Sequence, residues 1–473
     1  MRFNTLAYAL FLALVFTFSW LLARRARARL LLLLGASYFF YAQWDPRFLA
    51  LIFATSSADW LLGNAIGNAR DQRRRKRLLV LTVLMNLGVL GLFKYFDFGV
   101  AQLSALLSAL GFHAPRLALE LTLPIGISFF TFESMSYVID VYRRELPPHP
   151  SYLEYLAFVA FFPHLVAGPI VRPRDLLPQL AESPRFDSGL ASRALLLIGL
   201  GLFKKLALGD YLALNLVDRV FDAPLQYSAL ECYTALVAYA VQIYCDFSGY
   251  TDIAIGSAAL LGVRFPKNFD SPYQAHNVVD FWRRWHISLS SWLRDYLYIP
   301  LGGNRHGRAR TYLNLLLTML LGGLWHGANL TFVVWGALHG LLLAGTRAFQ
   351  ELSGRRGAAP SGPWARALSV LLTFHAVCFC WLFFRAKSLD DAWLILGRLG
   401  TFSTFHPNLD PRLLGVLAVG LVSHYVPERW FQRVLAMFAN LLAYAQAAVL
   451  LALSLSVREM ASLEAVPFVY FQF

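Results

Sequence analysis

The chain has 473 residues, 58% hydrophobic and 15% charged, with a mean hydropathy of +0.51. Soluble chains carry about 25% charged residues, and a soluble body of this length has too little interior for so much apolar surface. Disorder, a coiled coil and a nucleic-acid-binding domain are therefore argued against. The net charge of +14 sits in short basic breaks, Arg24 to Arg29 and Arg70 to Arg77, which read as loops beside an anionic lipid surface rather than a nucleic-acid patch.

Residues 4–23 carry no charge and are followed at once by Arg24, Arg25, Arg27 and Arg29. A cleaved leader has its charges first, so a retained span with its N-terminus outside is expected. Residues 30–44, and then 48–69 with Asp59 as their one charge, give two further spans and place both basic clusters in the cytoplasm. Residues 78–93 run outward, and the short mixed stretch 98–112 is expected to lie in the interface. Glu133 and Asp140 interrupt the apolar run 121–141, where charges must face protein or water.

Residues 155–171 contain Pro163, His164, Gly168 and Pro169. A full crossing would carry Arg172 and Arg174 outside, so the segment is expected to re-enter and turn back, buried in protein. Lys204 and Lys205 split residues 194–217, which receive no topology. The uncharged runs 232–245, 311–346, 367–384, 413–427 and 434–457 bring the total to about ten to twelve membrane-inserted segments. Five glycines between residues 322 and 340 suit close helix approach. No internal repeat and no linker are visible. The expected fold is all-α and polytopic, one domain over residues 1–473. Cys232, Cys245, Cys378 and Cys380 lie in apolar stretches and read as buried thiols. His375 with Cys378 and Cys380 has no second cluster, so no metal site is expected.

Chemistry concentrates in two places. In 276–310, helical spacing puts Val278, Trp282, Trp285, Leu289, Trp292 and Tyr296 on one face and Asp280, Arg283, Arg284, Ser288, Ser291 and Arg294 on the other. Asp280 and Arg284 can pair. His286 falls on the apolar flank. An amphipathic interfacial helix explains the same pattern without chemistry. The second place is Leu324-Trp325-His326-Gly327-Ala328-Asn329. His326 lies midway along an uncharged run, and a neutral imidazole is the usual base near neutral pH. Flanking glycines leave room for a substrate chain, and Asn329, three residues on, shares the helical face and can orient the ring or donate to an oxyanion. A histidine bonding between helices fits equally well. His339 has a weaker case. The sequence contains no G-x-S-x-G, P-loop, G-x-G-x-x-G or H-E-x-x-H.

Trp282-Arg283-Arg284-Trp285-His286-Ile287-Ser288 and Trp325-His326-Gly327 resemble the paired histidine motifs of the membrane-bound O-acyltransferase family, MBOAT. Further strings resemble its bacterial alginate O-acetyltransferase-like branch: 123–132, 167–172, 246–252, Tyr298 to Asn304 and Pro467 to Phe473. Leu330 stands where an aromatic residue is expected. The resemblance implies a multi-pass enzyme of the bacterial inner membrane around a pore-like centre. It implies transfer of acetyl from cytoplasmic acetyl-CoA to a hydroxyl on an extracytoplasmic polysaccharide, or to a periplasmic SGNH-hydrolase-like partner. His326 becomes the principal catalytic histidine and His286 the second, with Trp325 and Asn329 shaping the passage. Arg283, Arg284 and Arg294 are expected at the donor's phosphates, although lipid headgroups suit them as well. Competing readings are an exporter without chemistry, a scaffold for a polymer synthase, and acylation of peptidoglycan, cellulose or teichoic acid.

Overall fold

The computed structural model describes residues 3–112, 118–166, 168–354, 361–460 and 466–468. Ala167 and residues 469–473, parts of two of the matching strings, lie outside them. Among the described residues every regular element is helical. The chain forms two compact units, residues 1–194 with 254–266, and residues 195–253 with 267–473.

The first unit begins with α1 (Leu6–Leu21), α2 (Ala26–Ala42), α3 (Arg47–Asn68) and α4 (Gln72–Leu90). The Asp71 carboxylate caps α4 by accepting the Arg73 and Arg74 N–H groups. A π-helical turn at Gly91–Tyr95 carries α4 into α5 (Phe96–Ala109). The separate interfacial helix expected at 98–112 is thus the end of a 38-residue helical run. The run is rich in leucine and contains no proline to stop it. Residues 47–68 and 72–109 are long and apolar enough to cross a membrane.

Next come α6 (Ile127–Arg143), α7 (Tyr152–Ala160), α8 (Phe162–Leu165) and α9 (Pro173–Ala181). With nine residues, α7 reaches about 14 Å, under half of a hydrocarbon core. The chain then turns at Phe161 into the single turn of α8. Residues 155–165 and 168–173 are all buried. This broken backbone is held by Glu133 of α6, whose Oε1 lies 2.9 Å from His164 Nδ1 and accepts the Val171 N–H at 3.1 Å. His164 Nε2–H donates to the Phe158 carbonyl at 3.1 Å. The Val171 N–H and His164 Nε2–H thus find their acceptors inside protein, as the bilayer demands.

Two arginines of the basic clusters turn inward rather than toward a surface. Arg29 donates to Ser19 Oγ and the Leu261 carbonyl, and Arg75 to the carbonyls of Ile66, Val141 and Tyr142. Ile66 lies near the end of α3 and Val141 and Tyr142 near the end of α6, where carbonyls run short of helical donors and a cation is favourable, although the Val141 carbonyl also accepts the Arg144 N–H. Arg75→Met would leave two buried carbonyls and one part-buried carbonyl without this donor. It should lower stability by about 2–4 kcal/mol, seen as a lower thermal midpoint of the detergent-solubilised protein. Arg74→Met, one residue away and exposed, should change little.

The second unit takes up the chain within α10 (Ser188–Leu202). It continues through a π-helical stretch, Phe203–Gly209, then α11 (Asp210–Leu212), a second π turn and α12 (Asp218–Asp222). The helix α13 (Ala229–Leu260) contributes residues to both units. The lysine pair that splits this apolar region is neutralised from within. Lys204 Nζ lies 2.6 Å from Asp252, and Lys205 Nζ lies 2.6 Å from both Asp210 and Asp246. Lys205, Asp210 and Asp246 are buried. α13 approaches closely here, because a Cβ at Gly249 would stand 2.7 Å from the Gly201 carbonyl and 3.2 Å from the Lys205 nitrogen.

Beyond these lie α14 (Val278–Arg284), α15 (Ile287–Leu293), α16 (Gly307–His326), α17 (Leu330–Leu352) and α18 (Pro363–Arg385). The unit ends with α19 (Leu389–Leu399), α20 (Pro411–Ser423), α21 (Glu428–Ala439) and α22 (Ala443–Met460). α17 and α18 are also long and apolar enough to cross. Glycines bring α16 and α17 together: a Cβ on Gly323 would meet the Phe332 carbonyl, and one on Gly336 the Met319 carbonyl. All four cysteines are buried and unbridged.

Candidate active site

The helix expected across 278–296 is broken at its centre. α14 ends at Arg284, and His286 takes a left-handed conformation with φ 43° before α15 begins. A non-glycine residue holds that conformation only when its surroundings enforce it. Here a loop from residues 268–270 does so. Asp270 N–H donates to the Arg284 carbonyl, and Ile287 N–H to the Asn268 carbonyl, both at 2.9 Å. Asn268 Oδ1 accepts the Ser288 N–H at 3.1 Å and the Ser288 hydroxyl at 2.9 Å, and lies 3.2 Å from His286 Nδ1. Lys267, bonded to Asp270 and Glu428, holds the Asp270 carboxyl below the usual range, so that end of the loop stays charged and tied down. Of the expected faces, Trp282, Trp285, Leu289 and Trp292 are buried and Arg283 and Arg294 exposed, but Ser288, placed on the polar face, is buried as well.

His326 is the last residue of α16. Its ring packs edge-on against Trp325, Trp335 and Phe384 at 5.0, 5.1 and 5.2 Å between centroids. The Trp325 ring is also 6.2 Å from that of His286, so one indole links the two histidines. On its other side His286 meets the Phe247 ring at 4.6 Å and 90°. Phe247 belongs to the 246–252 string, and Phe468, from the C-terminal string, packs against it. His286, His326 and His339 are all buried.

Asn329 does not share a helical face with His326. The helix ends between them, and Asn329 caps α17 by accepting the Thr331 N–H at 3.1 Å while donating to the Lys387 carbonyl at 2.8 Å. The glycines flanking Trp325 and His326 leave no gap for substrate either. Phe332 covers both, with its carbonyl at Gly323 and its ring at Gly327. Their smallness serves helix packing. His339 accepts from the Trp282 indole at 3.3 Å through Nδ1 and lies 4.8 Å from the Trp335 ring.

A cavity of about 580 Å³ opens beside this aromatic layer. Trp282 and Met319 stand in its wall, and Arg283, Arg294 and Arg347 contribute to its lining. Arg284 is not among them. It pairs with Asp280 at 2.9 Å and lies 3.8 Å from Asp270, so of the three arginines singled out, two reach the cavity. Arg347 escaped sequence reasoning because, four residues before Glu351 and 3.2 Å from it, it reads as an ordinary surface pair. His326 lies behind the lining. The Trp282 ring is 5.8 Å from Trp335, which touches His326. Among the described residues no group of three potential ligands is gathered for a metal ion.

The helical body thus holds two buried histidines, joined through Trp325, with His326 two rings away from an arginine-lined cavity. The chain belongs to MBOAT, the membrane-bound O-acyltransferase family, whose model matches residues 50–396, and it is an O-acyltransferase. It is 46% identical over 378 residues to the protein described as "Probable alginate O-acetylase AlgI" of Azotobacter vinelandii, covering 80% of this chain and 74% of the relative. A peptidoglycan O-acetyltransferase of Helicobacter pylori is 35% identical, over 76% of this chain and 72% of that one. A teichoic acid D-alanyltransferase of Bacillus subtilis is 29% identical, over 56% and 69%.

Proposed function

We propose that this chain takes acetyl from cytoplasmic acetyl-CoA and delivers it to hydroxyl groups of an extracytoplasmic polysaccharide, with alginate-type O-acetylation as the favoured case. The reading includes residence in a bacterial inner membrane and a periplasmic SGNH-hydrolase-like partner that receives the acetyl. The observation that carries it is the join of an arginine-lined cavity to a buried, ring-packed histidine pair within one unit. An anionic thioester needs cations for its phosphates and a dry, basic site for its acyl carbon. Similarity to the alginate relatives favours that polymer over peptidoglycan or teichoic acid.

In the reaction the acceptor oxygen attacks the thioester carbonyl carbon and the carbon–sulfur bond breaks. The hydroxyl proton passes to imidazole and on to the departing thiolate. His326 and His286 are the residues assigned to this proton. Trp325, between the two rings, fixes their spacing, and Asn329 holds the start of α17. The exporter reading gives the arginine-lined cavity beside the histidine pair no role.

The test supplies labelled acetyl-CoA to inside-out membrane vesicles and follows label into the acceptor fraction. Arg283→Ala with Arg294→Ala should raise KM for acetyl-CoA about tenfold and leave kcat near the wild-type value, the signature of lost uniform binding. No transfer from acetyl-CoA in wild-type vesicles would overturn the donor assignment.

A further inference from the structure

The hydrogen bonds around Asn268 determine where the proton of His286 sits. Ser288 N–H can only donate, and it donates to the Asn268 side chain at 3.1 Å. The atom there is therefore the amide oxygen, and an amide oxygen is an acceptor only. The same oxygen faces His286 Nδ1 at 3.2 Å, and the Ser288 hydroxyl, 3.4 Å from Nδ1, gives its hydrogen to that oxygen at 2.9 Å rather than to the ring. A bare ring nitrogen there would set lone pair against lone pair, so Nδ1 must carry the hydrogen. In the neutral ring Nε2 is then the lone-pair nitrogen. It is buried and has no hydrogen-bond partner. Asn268 and His286 are both buried, so bulk water does not compete for these bonds.

We infer that Asn268 is a positioning residue that holds His286 as its Nδ1–H tautomer and thereby presents Nε2 as a proton acceptor. The left-handed backbone at His286 is the local cost of this arrangement, offset by the bonds from residues 268 and 270. An oriented acceptor behind one ring nitrogen, with the other left open, is the general logic by which proteins set an imidazole for proton transfer. The inference deepens the acyl-transfer reading for His286 and rests on that reading for its consequence, although not for the tautomer itself.

The experiment uses the full-length protein in lipid nanodiscs with nitrogen-15-labelled histidine, the His286 signals being assigned by their loss in His286→Gln. Nitrogen chemical shifts should report protonated Nδ1 and unprotonated Nε2 in the wild type. Asn268→Asp keeps an acceptor oxygen and should preserve that tautomer. Asn268→Leu removes the acceptor and should give a tautomer mixture, with ester content of exported polymer falling about 10-fold or more at equal protein level. A protein in which Asn268 merely held the turn would show the same tautomer in Asn268→Leu whenever it folded. Protonated Nε2 in the wild type, or an unchanged tautomer in folded Asn268→Leu, overturns the inference. A scrambled tautomer with undiminished ester content upholds the role of Asn268 and removes His286 from the reaction, which separates the two failures.

Discussion

His326→Gln should abolish most acyl transfer while leaving a folded, inserted protein. The substitution nearly preserves volume and keeps a polar group at the end of α16, so the contacts with Trp325, Trp335 and Phe384 lose little. Glutamine cannot take up a proton near neutral pH, and transfer should fall by about 10²–10⁴, the usual weight of general acid–base catalysis. Ester content per unit of exported polymer, measured alongside the amount exported, is the readout. Normal export with ester lost supports the enzyme. Unchanged ester content at wild-type protein level would reduce His326 to a packing residue. His286→Gln should lower transfer as well.

Lys205→Met should cost the folded protein. Lys205 lies between Asp210 and Asp246 at 2.6 Å from each, all three buried. Removing one partner from a buried ionic group strands the others, at about 3–5 kcal/mol or more. Removing the whole group is far milder, because the cost of burying each charge goes with it. Lys205→Met combined with Asp210→Asn and Asp246→Asn should therefore recover much of the yield that the single variant loses, as read by monodisperse protein after detergent extraction. If the triple variant is no better than the single, the lysine is required for something other than neutralising the two carboxylates.

Periodicity and charge revealed most of the helices and both histidine motifs, because membrane helices and aromatic faces are written locally. Long-range pairing stayed hidden. Lys204 and Lys205 look like a break in an apolar run until Asp246 and Asp252 arrive from forty residues further on. Arg29 and Arg75 look like their exposed neighbours, although each bonds to carbonyls elsewhere in the fold. A helical wheel drawn through 278–296 placed the buried tryptophans correctly and still missed the turn at His286, since only Asn268 and Asp270 make that backbone favourable. Asn329 deceived for a similar reason: spacing of three implies a shared face only if the helix continues, and it stops at His326.

The rings of Trp282, Trp335 and His326 stand in contact in that order, with the cavity on one side of Trp282. Indole faces offer water no chain of acceptors along which hydrogen bonds can run. A membrane protein that hands a small group toward the far side must not also conduct ions, since even a slender file of water would drain the electrochemical gradient that the cell maintains. Close aromatic packing between the cavity and His326 is a barrier of the kind that would deny water such a file.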